Sequence, residues 1–93
     1  MLNQVILVGK IVEKKISDKE NNIIISVESR RSNDKNVVNL IPISLGEGLE
    51  KSIEYLTKDA TVGIKASISV TGNEIEIIAE KITFINVKEK NND

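Results

Sequence analysis

Between Asn36 and Asp59 the sequence changes its period once, and that change leaves the chain few folds to choose from. From Asn36 to Leu45, Val37, Asn39, Ile41, Ile43 and Leu45 share one parity, and Val38, Leu40, Pro42 and Ser44 share the other. A strand presents alternate residues to opposite faces, so this one is covered on both sides or faces core and partner in turn. Gly46 and Gly48 break it. Beyond them Leu49, Ser52, Ile53 and Leu56 fall on one helical face, while Glu50, Lys51, Glu54 and Lys58 fall on the other. The spacing predicts one short amphipathic helix over roughly Leu49 to Thr57. With strands on either side, that arrangement suits a small barrel whose helix plugs one open end.

The flanking segments supply those strands. Leu2 to Val12 reads as the first, with Val5, Leu7 and Ile11 on one parity and Ile6, Val8, Lys10 and Val12 on the other. Gly9 interrupts it, which in a strand marks a bulge, a bend or a close backbone approach. Glu13 to Asn22 is polar and reads as a loop or loose strand extension ending in a turn. Ile23 to Arg31 is the second strand, with Ile23, Ile25 and Val27 inward and Ile24 the exception. Thr61 to Thr71 alternates cleanly, placing Ile64, Ala66, Ile68 and Val70 on one face. Gly72-Asn73 suits a two-residue type II′ turn. The last strand, Glu74 to Val87, changes parity near Ile77-Ile78, which predicts a bulge there. Five strands with a helix between the third and fourth give an all-β fold in the order of the oligonucleotide/oligosaccharide-binding (OB) barrel, a Greek key. The expected domain covers residues 1–87, with residues 88–93 as a polar tail.

Composition removes several functions. A chain of 93 residues is one domain, and its apolar content is almost all Ile, Val and Leu, as sheet favours. With no Cys and no His, the chain has no thiol nucleophile, no disulfide and neither common soft metal ligand. Glu74 and Glu76 alternate outward on a strand and do not make a catalytic pair, and no phosphate-cradling glycine loop is present. No enzyme activity, metal or cofactor is therefore expected. The N-terminus lacks a signal-peptide pattern and no run approaches a membrane span, so a cytoplasmic protein is expected. Net charge is −1, divided unevenly: residues 1–45 carry seven Lys/Arg against five Asp/Glu, and residues 46–93 six against nine.

Three pieces of the sequence carry a family resemblance. Met1-Leu2-Asn3-Gln4-Val5-Ile6-Leu7-Val8-Gly9-Lys10-Ile11-Val12 resembles the opening strand of bacterial single-stranded-DNA-binding proteins. Leu40-Ile41-Pro42-Ile43 and the helix Leu49–Lys58 look like that family's third strand and helix. Val62-Gly63-Ile64-Lys65 and Ala79-Glu80-Lys81-Ile82-Thr83-Phe84 look like its last two strands. The resemblance covers residues 1–86 and implies an OB barrel that binds single-stranded DNA in replication, recombination or repair. It also implies a homodimer or homotetramer, with the first strand, apolar on both parities, at an interface.

The departures shape the expected mechanism. Where the family often has Trp at the end of its third strand, this chain reads Ser44-Leu45-Gly46. Tyr55 and Phe84 match positions that look structural in the family and are expected in the core. The family's long hairpin is reduced to Gly72-Asn73, and its acidic-hydrophobic tail is replaced by Lys90-Asn91-Asn92-Asp93. Binding is thus expected to rest on phosphate contacts from Lys10, Lys14, Lys15, Arg30, Arg31, Lys35 and Lys65, of which Lys10 and Lys65 look like basic positions in the family. Such binding is weak and steeply salt-dependent. A second reading keeps the barrel but makes it a protein-interaction or assembly module that no longer binds nucleic acid.

Overall fold

The computed structural model describes residues 1–30 and 36–86. Five strands follow in order: β1 (Val5–Ile16), β2 (Asn21–Arg30), β3 (Asn36–Leu45), β4 (Thr61–Thr71) and β5 (Glu74–Asn86). A 3-10 helix, Glu50–Tyr55, lies between β3 and β4. The sheet closes on itself in the order β1-β2-β3-β5-β4, with β4 returning to β1. All neighbours are antiparallel except β3 and β5, which run parallel. This is the OB-fold.

β1 makes the closure possible by serving two neighbours in turn. Its first half, Val5 to Lys10, pairs with β4, and its second half, Lys10 to Ile16, pairs with β2. At the handover sits Gly9. A Cβ there would press into the carbonyl oxygen of Ser26 and lie 3.0 Å from Cγ2 of Val27, so only glycine lets β1 cross β2 so closely. Just after it, Val12 is an extra residue on β1, since Ile11 faces Ile25 and Glu13 faces Ile24. Of the two readings of the polar stretch from Glu13, the strand extension ending in a turn is the one observed. It continues the ladder to Ile16, because pairing with β2 needs only backbone groups. The turn that follows is held by Ser17, whose Oγ accepts the N–H groups of Lys19 and Glu20.

The core is wholly aliphatic. Ile11, Ile23, Ile25, Ile43, Leu56, Val62 and Ile64 are fully buried, and no polar or charged residue is buried among the described residues. Ala66 faces Ala79 across β4 and β5, a small pair that leaves room in a narrow interior for the isoleucines around it. Val27, Ile41, Ile77 and Phe84 pack partly buried against this cluster.

The helix is shorter and tighter than its periodicity predicts. Ser52 N–H donates to the Leu49 carbonyl at 3.0 Å and Leu56 N–H to the Ile53 carbonyl at 3.1 Å, both three residues back. Ser, Ile and Tyr are indifferent helix formers and no side chain caps the N-terminus, so packing fixes this turn. Its anchors are the residues at its two ends: Leu49 and Leu56 are buried in the core. Asp59, at φ 74°, then turns the chain so that its N–H donates to the Ile11 carbonyl while the Ile11 N–H donates to that of Ala60.

β5 carries two extra residues, and neither lies at Ile77-Ile78. Lys65 faces Lys81 and Ala66 faces Ala79, which leaves Glu80 unpaired; Thr61 faces Asn86 and Val62 faces Phe84, which leaves Ile85. Ile78 keeps the outward parity and pairs with Ser67 and Ser44. The Glu80 bulge explains how β5 stays soluble and packed at once. Without it Lys81 would share the inward parity of Ala79; with it Lys81 turns out and Ile82 turns in. The hairpin turn is as expected, with Gly72 at φ 64° between the paired Thr71 and Glu74. No helix among the described residues is long and apolar enough to cross a membrane. The polar tail at 88–93 lies outside the described residues.

Candidate nucleic-acid interface

The barrel distributes the expected basic residues over more than one surface. Lys10 is exposed on the outer face at the point where β1 touches both neighbours, opposite Ser26 on β2 and Thr61 on β4. Lys65 is exposed on the same outer face of β4, opposite Ile6. It stands four residues along β4 from Thr61, a separation of about 13 Å at the usual rise of a strand.

Lys14 and Lys15 part company. After the Val12 bulge, Lys14 faces the buried Ile23 and Lys15 faces Asn22, so the two side chains leave opposite faces of the strand. Lys14 reaches the plugged end of the barrel, where its Nζ donates to the Ile53 carbonyl at 3.0 Å. That carbonyl already accepts from Leu56, and a cation there suits the negative end of a helical turn. One of the ammonium's three donors therefore ties β1 to the helix. Arg30 closes β2, its backbone paired with Asn36. Arg31 and Lys35 lie outside the described residues.

Sequence reasoning omits Lys81. It stands directly opposite Lys65 on β4 and is exposed beside it. The two lysines, with Ile6, Gly63, Ile64 and Thr83, line a shallow cleft of about 200 Å³ on the outer face of β1, β4 and β5. Only the register could have revealed the pair, because the Glu80 bulge resets the parity of β5.

Apolar side chains share this outer surface. Ile6 is 61% exposed and Val8 54% exposed on β1, and Val38 and Leu40 are exposed on β3. A separate apolar face lies on the hairpin, where Val70 pairs with Ile75 and both are exposed. The N-terminus braces that hairpin: the Asn3 side-chain amide donates to the Ile68 carbonyl at 2.9 Å, and the Ile68 N–H donates to Asn3 Oδ1 at 2.9 Å.

Tyr55 corrects an expectation. It is 52% exposed, not buried, and its ring meets that of Phe84 edge to face at 6.1 Å between centroids. Phe84 is the one of the two that packs against the core. Tyr55→Ala is accordingly expected to cost about 0.5–1.5 kcal/mol through removal of the aromatic pair, well short of the roughly 3–5 kcal/mol of a buried ring. Urea denaturation checks this, and a loss above about 3 kcal/mol would put the ring back in the core.

The described residues hold no group of three or more acidic side chains placed to bind a metal ion. No protein-family model matches the sequence, and no curated protein matches it. Solved structures do. Mitochondrial single-stranded DNA binding protein of S. cerevisiae superposes with a TM-score of 0.69 at 17% identity, covering 97% of this chain and 100% of that one. The chain has the fold of a single-stranded DNA binding protein. A small single-stranded DNA binding protein of Mycoplasma pneumoniae gives a TM-score of 0.65 at 20% identity, over 96% of this chain and 100% of its own. PriB of Ralstonia solanacearum gives 0.73 at 9% identity, over 92% and 100%. The resemblance read from the strand and helix motifs is thus matched by the three-dimensional neighbours of the whole barrel.

Proposed function

We propose that this chain is a non-catalytic single-stranded DNA binding protein of the cytoplasm that serves replication, recombination or repair and holds its ligand chiefly through phosphate contacts. The observation that carries the reading is the end-to-end likeness of the barrel to two solved single-stranded DNA binding proteins, over 96% and 97% of the chain. The phosphate-directed mechanism follows from the side chains. The sequence has one Tyr, one Phe and no Trp, so successive bases find no row of rings to stack on. Lys10, Lys15 and Lys65, with Arg30, Arg31 and Lys35 at the β2–β3 connection, remain as backbone contacts, and Lys14 divides its donors between the helix and solvent.

Binding of a fluorescent oligo-dT at low and physiological salt, beside a duplex of equal length, tests the reading. Binding of the single strand in preference to the duplex is the expected result. No binding even at low salt, where electrostatics are strongest, would sink it.

Association is part of the same proposal. The first half of β1, Val5 to Val8, pairs with β4 but not with β2, so its other edge is open to a second copy, giving a homodimer or homotetramer. Light scattering at tens of micromolar is expected to give a multiple of 10.3 kDa, and a monomer mass would remove this part of the proposal. The exposed faces of Val38, Leu40, Val70 and Ile75 favour the second reading, an interaction or assembly module on the same barrel. That reading stands if the chain assembles and the oligonucleotide does not bind.

A further inference from the structure

We infer that the cleft between Lys65 and Lys81 is a phosphate subsite, and that a bound single strand runs over the outer face of β1, β4 and β5 with one backbone phosphodiester seated there. The inference rests on the single-strand reading above and names the part of the surface that would carry it.

The register makes the case. Residues directly opposite in an antiparallel pair have Cβ atoms about 4.5–5.5 Å apart, and like charges in that position repel. β5 nevertheless spends an extra residue, Glu80, on turning Lys81 outward to face Lys65. An anion between the two ammonium groups converts the repulsion into two charge-assisted contacts. The rest of the cleft fits the same guest. Gly63 gives it a floor without a side chain, where an added Cβ would meet only Ile85 Cδ1 at 3.6 Å. Thr83 brings a hydroxyl that can donate, and Ile6 forms an apolar wall. Lys10, further along the same outer face, extends the track. Glu80 is exposed beside Lys81 and is the acidic group that an arriving phosphate must tolerate. A contact between copies along the open edge of β1 leaves the outward side chains of Lys65 and Lys81 free, one and two strands away.

The test is a salt titration of oligo-dT binding for the parent, Lys65→Gln/Lys81→Gln, Lys65→Arg/Lys81→Arg, and a control, Lys51→Gln/Lys58→Gln, that removes the same charge beside the helix. Removing one phosphate contact should flatten the log–log salt slope by about 0.7, and the glutamine pair, which empties the seat of one phosphodiester, should flatten it by that amount. The arginine pair and the control should keep the parent slope. The glutamine pair should also melt no lower than the parent, because it relieves a like-charge opposition. If the parent binds and the glutamine pair keeps its slope, or the control flattens equally, the subsite is wrong while the single-strand reading survives. If the parent fails to bind, both fall. Amide shifts of Gly63, Lys65, Lys81 and Thr83 identify the source of the phosphate. They should move with oligo-dT and stay still in inorganic phosphate at the same phosphate concentration; movement in both alike would make this a site for free phosphate and overturn the assignment to a strand.

Discussion

Gly9→Ala is expected to destabilise the protein by about 3 kcal/mol, the upper end of the usual range for overpacking. The new methyl would enter the space of the Ser26 carbonyl oxygen, and backbone cannot rotate aside as a flexible side chain can. Relief requires β1 and β2 to separate at the handover from β4, where Lys10 pairs with both Ser26 and Thr61. For a domain of this size 3 kcal/mol corresponds to a fall in melting temperature of roughly 12–24 °C. Gly63→Ala is the control. Its methyl meets only Ile85 Cδ1 at ordinary contact distance, and the change should stay within about 0.5 kcal/mol. Thermal melts of both variants decide the matter, and a Gly9→Ala protein melting within about 2 or 3 °C of the parent, the effect of an ordinary surface change, would show that β1 does not need glycine there.

Single-strand affinity is expected to fall by about 20–50-fold when salt rises from 50 to 200 mM. The figure follows from three to four phosphate contacts at a slope of about 0.7 each, applied to a fourfold change in salt. On the proposed track Lys10 would hold one phosphate and the Lys65–Lys81 pair a second, and one or two more from the basic residues around Arg30 would complete the range. Fluorescence titration at four or five salt concentrations gives the slope directly. Tyr55→Ala should leave this binding within about twofold, since a stacked base would be worth roughly 1–3 kcal/mol. A shallow salt slope together with a large drop in affinity for Tyr55→Ala would reverse the mechanism from phosphates to bases.

The sequence shows the parts of the fold that side-chain chemistry repeats. β3 and β4 are bounded as their alternation and flanking glycines predict, and the hairpin falls at Gly72-Asn73. The parts left open or misplaced are those decided by backbone pairing. The second half of β1 reads as either a loop or a strand extension because its ladder to β2 uses N–H and C=O groups, and its side chains clear the core once past Ile11. Parity misplaces the bulge in β5 because Ile78, apolar yet outward, imitates the resumed inward parity that begins at Ile82. The helix periodicity picks out the residues that anchor it, Leu49 and Leu56, but periodicity does not report whether a turn closes three or four residues back.

The site is legible in the same uneven way. Lys10 and Lys65 can be placed from strand parity alone, whereas Lys81 depends on a bulge that parity conceals. The bond from Lys14 to Ile53 spans 39 positions in sequence and leaves no local trace. Tyr55 sits at the polar edge of an amphipathic turn, where neither burial nor exposure can be inferred from the residue type.

The barrel is closed unevenly. β4 and β5 face each other along almost their whole length, but β3 meets β5 only at Ser44 with Ile78 and Leu45 with Ala79. The Gly46 N–H adds one bond to the Ala79 carbonyl, and Ser44 Oγ donates to Glu76 Oε2 at 2.6 Å on the outside. This seam is the one parallel junction of the sheet and its shortest ladder, so it is expected to part early in unfolding. The β1-β2-β3 meander and the β4–β5 hairpin then behave as two leaves hinged along β1. They can part for a moment without either losing its own ladder, and the isoleucine interior is only as sealed as that latch.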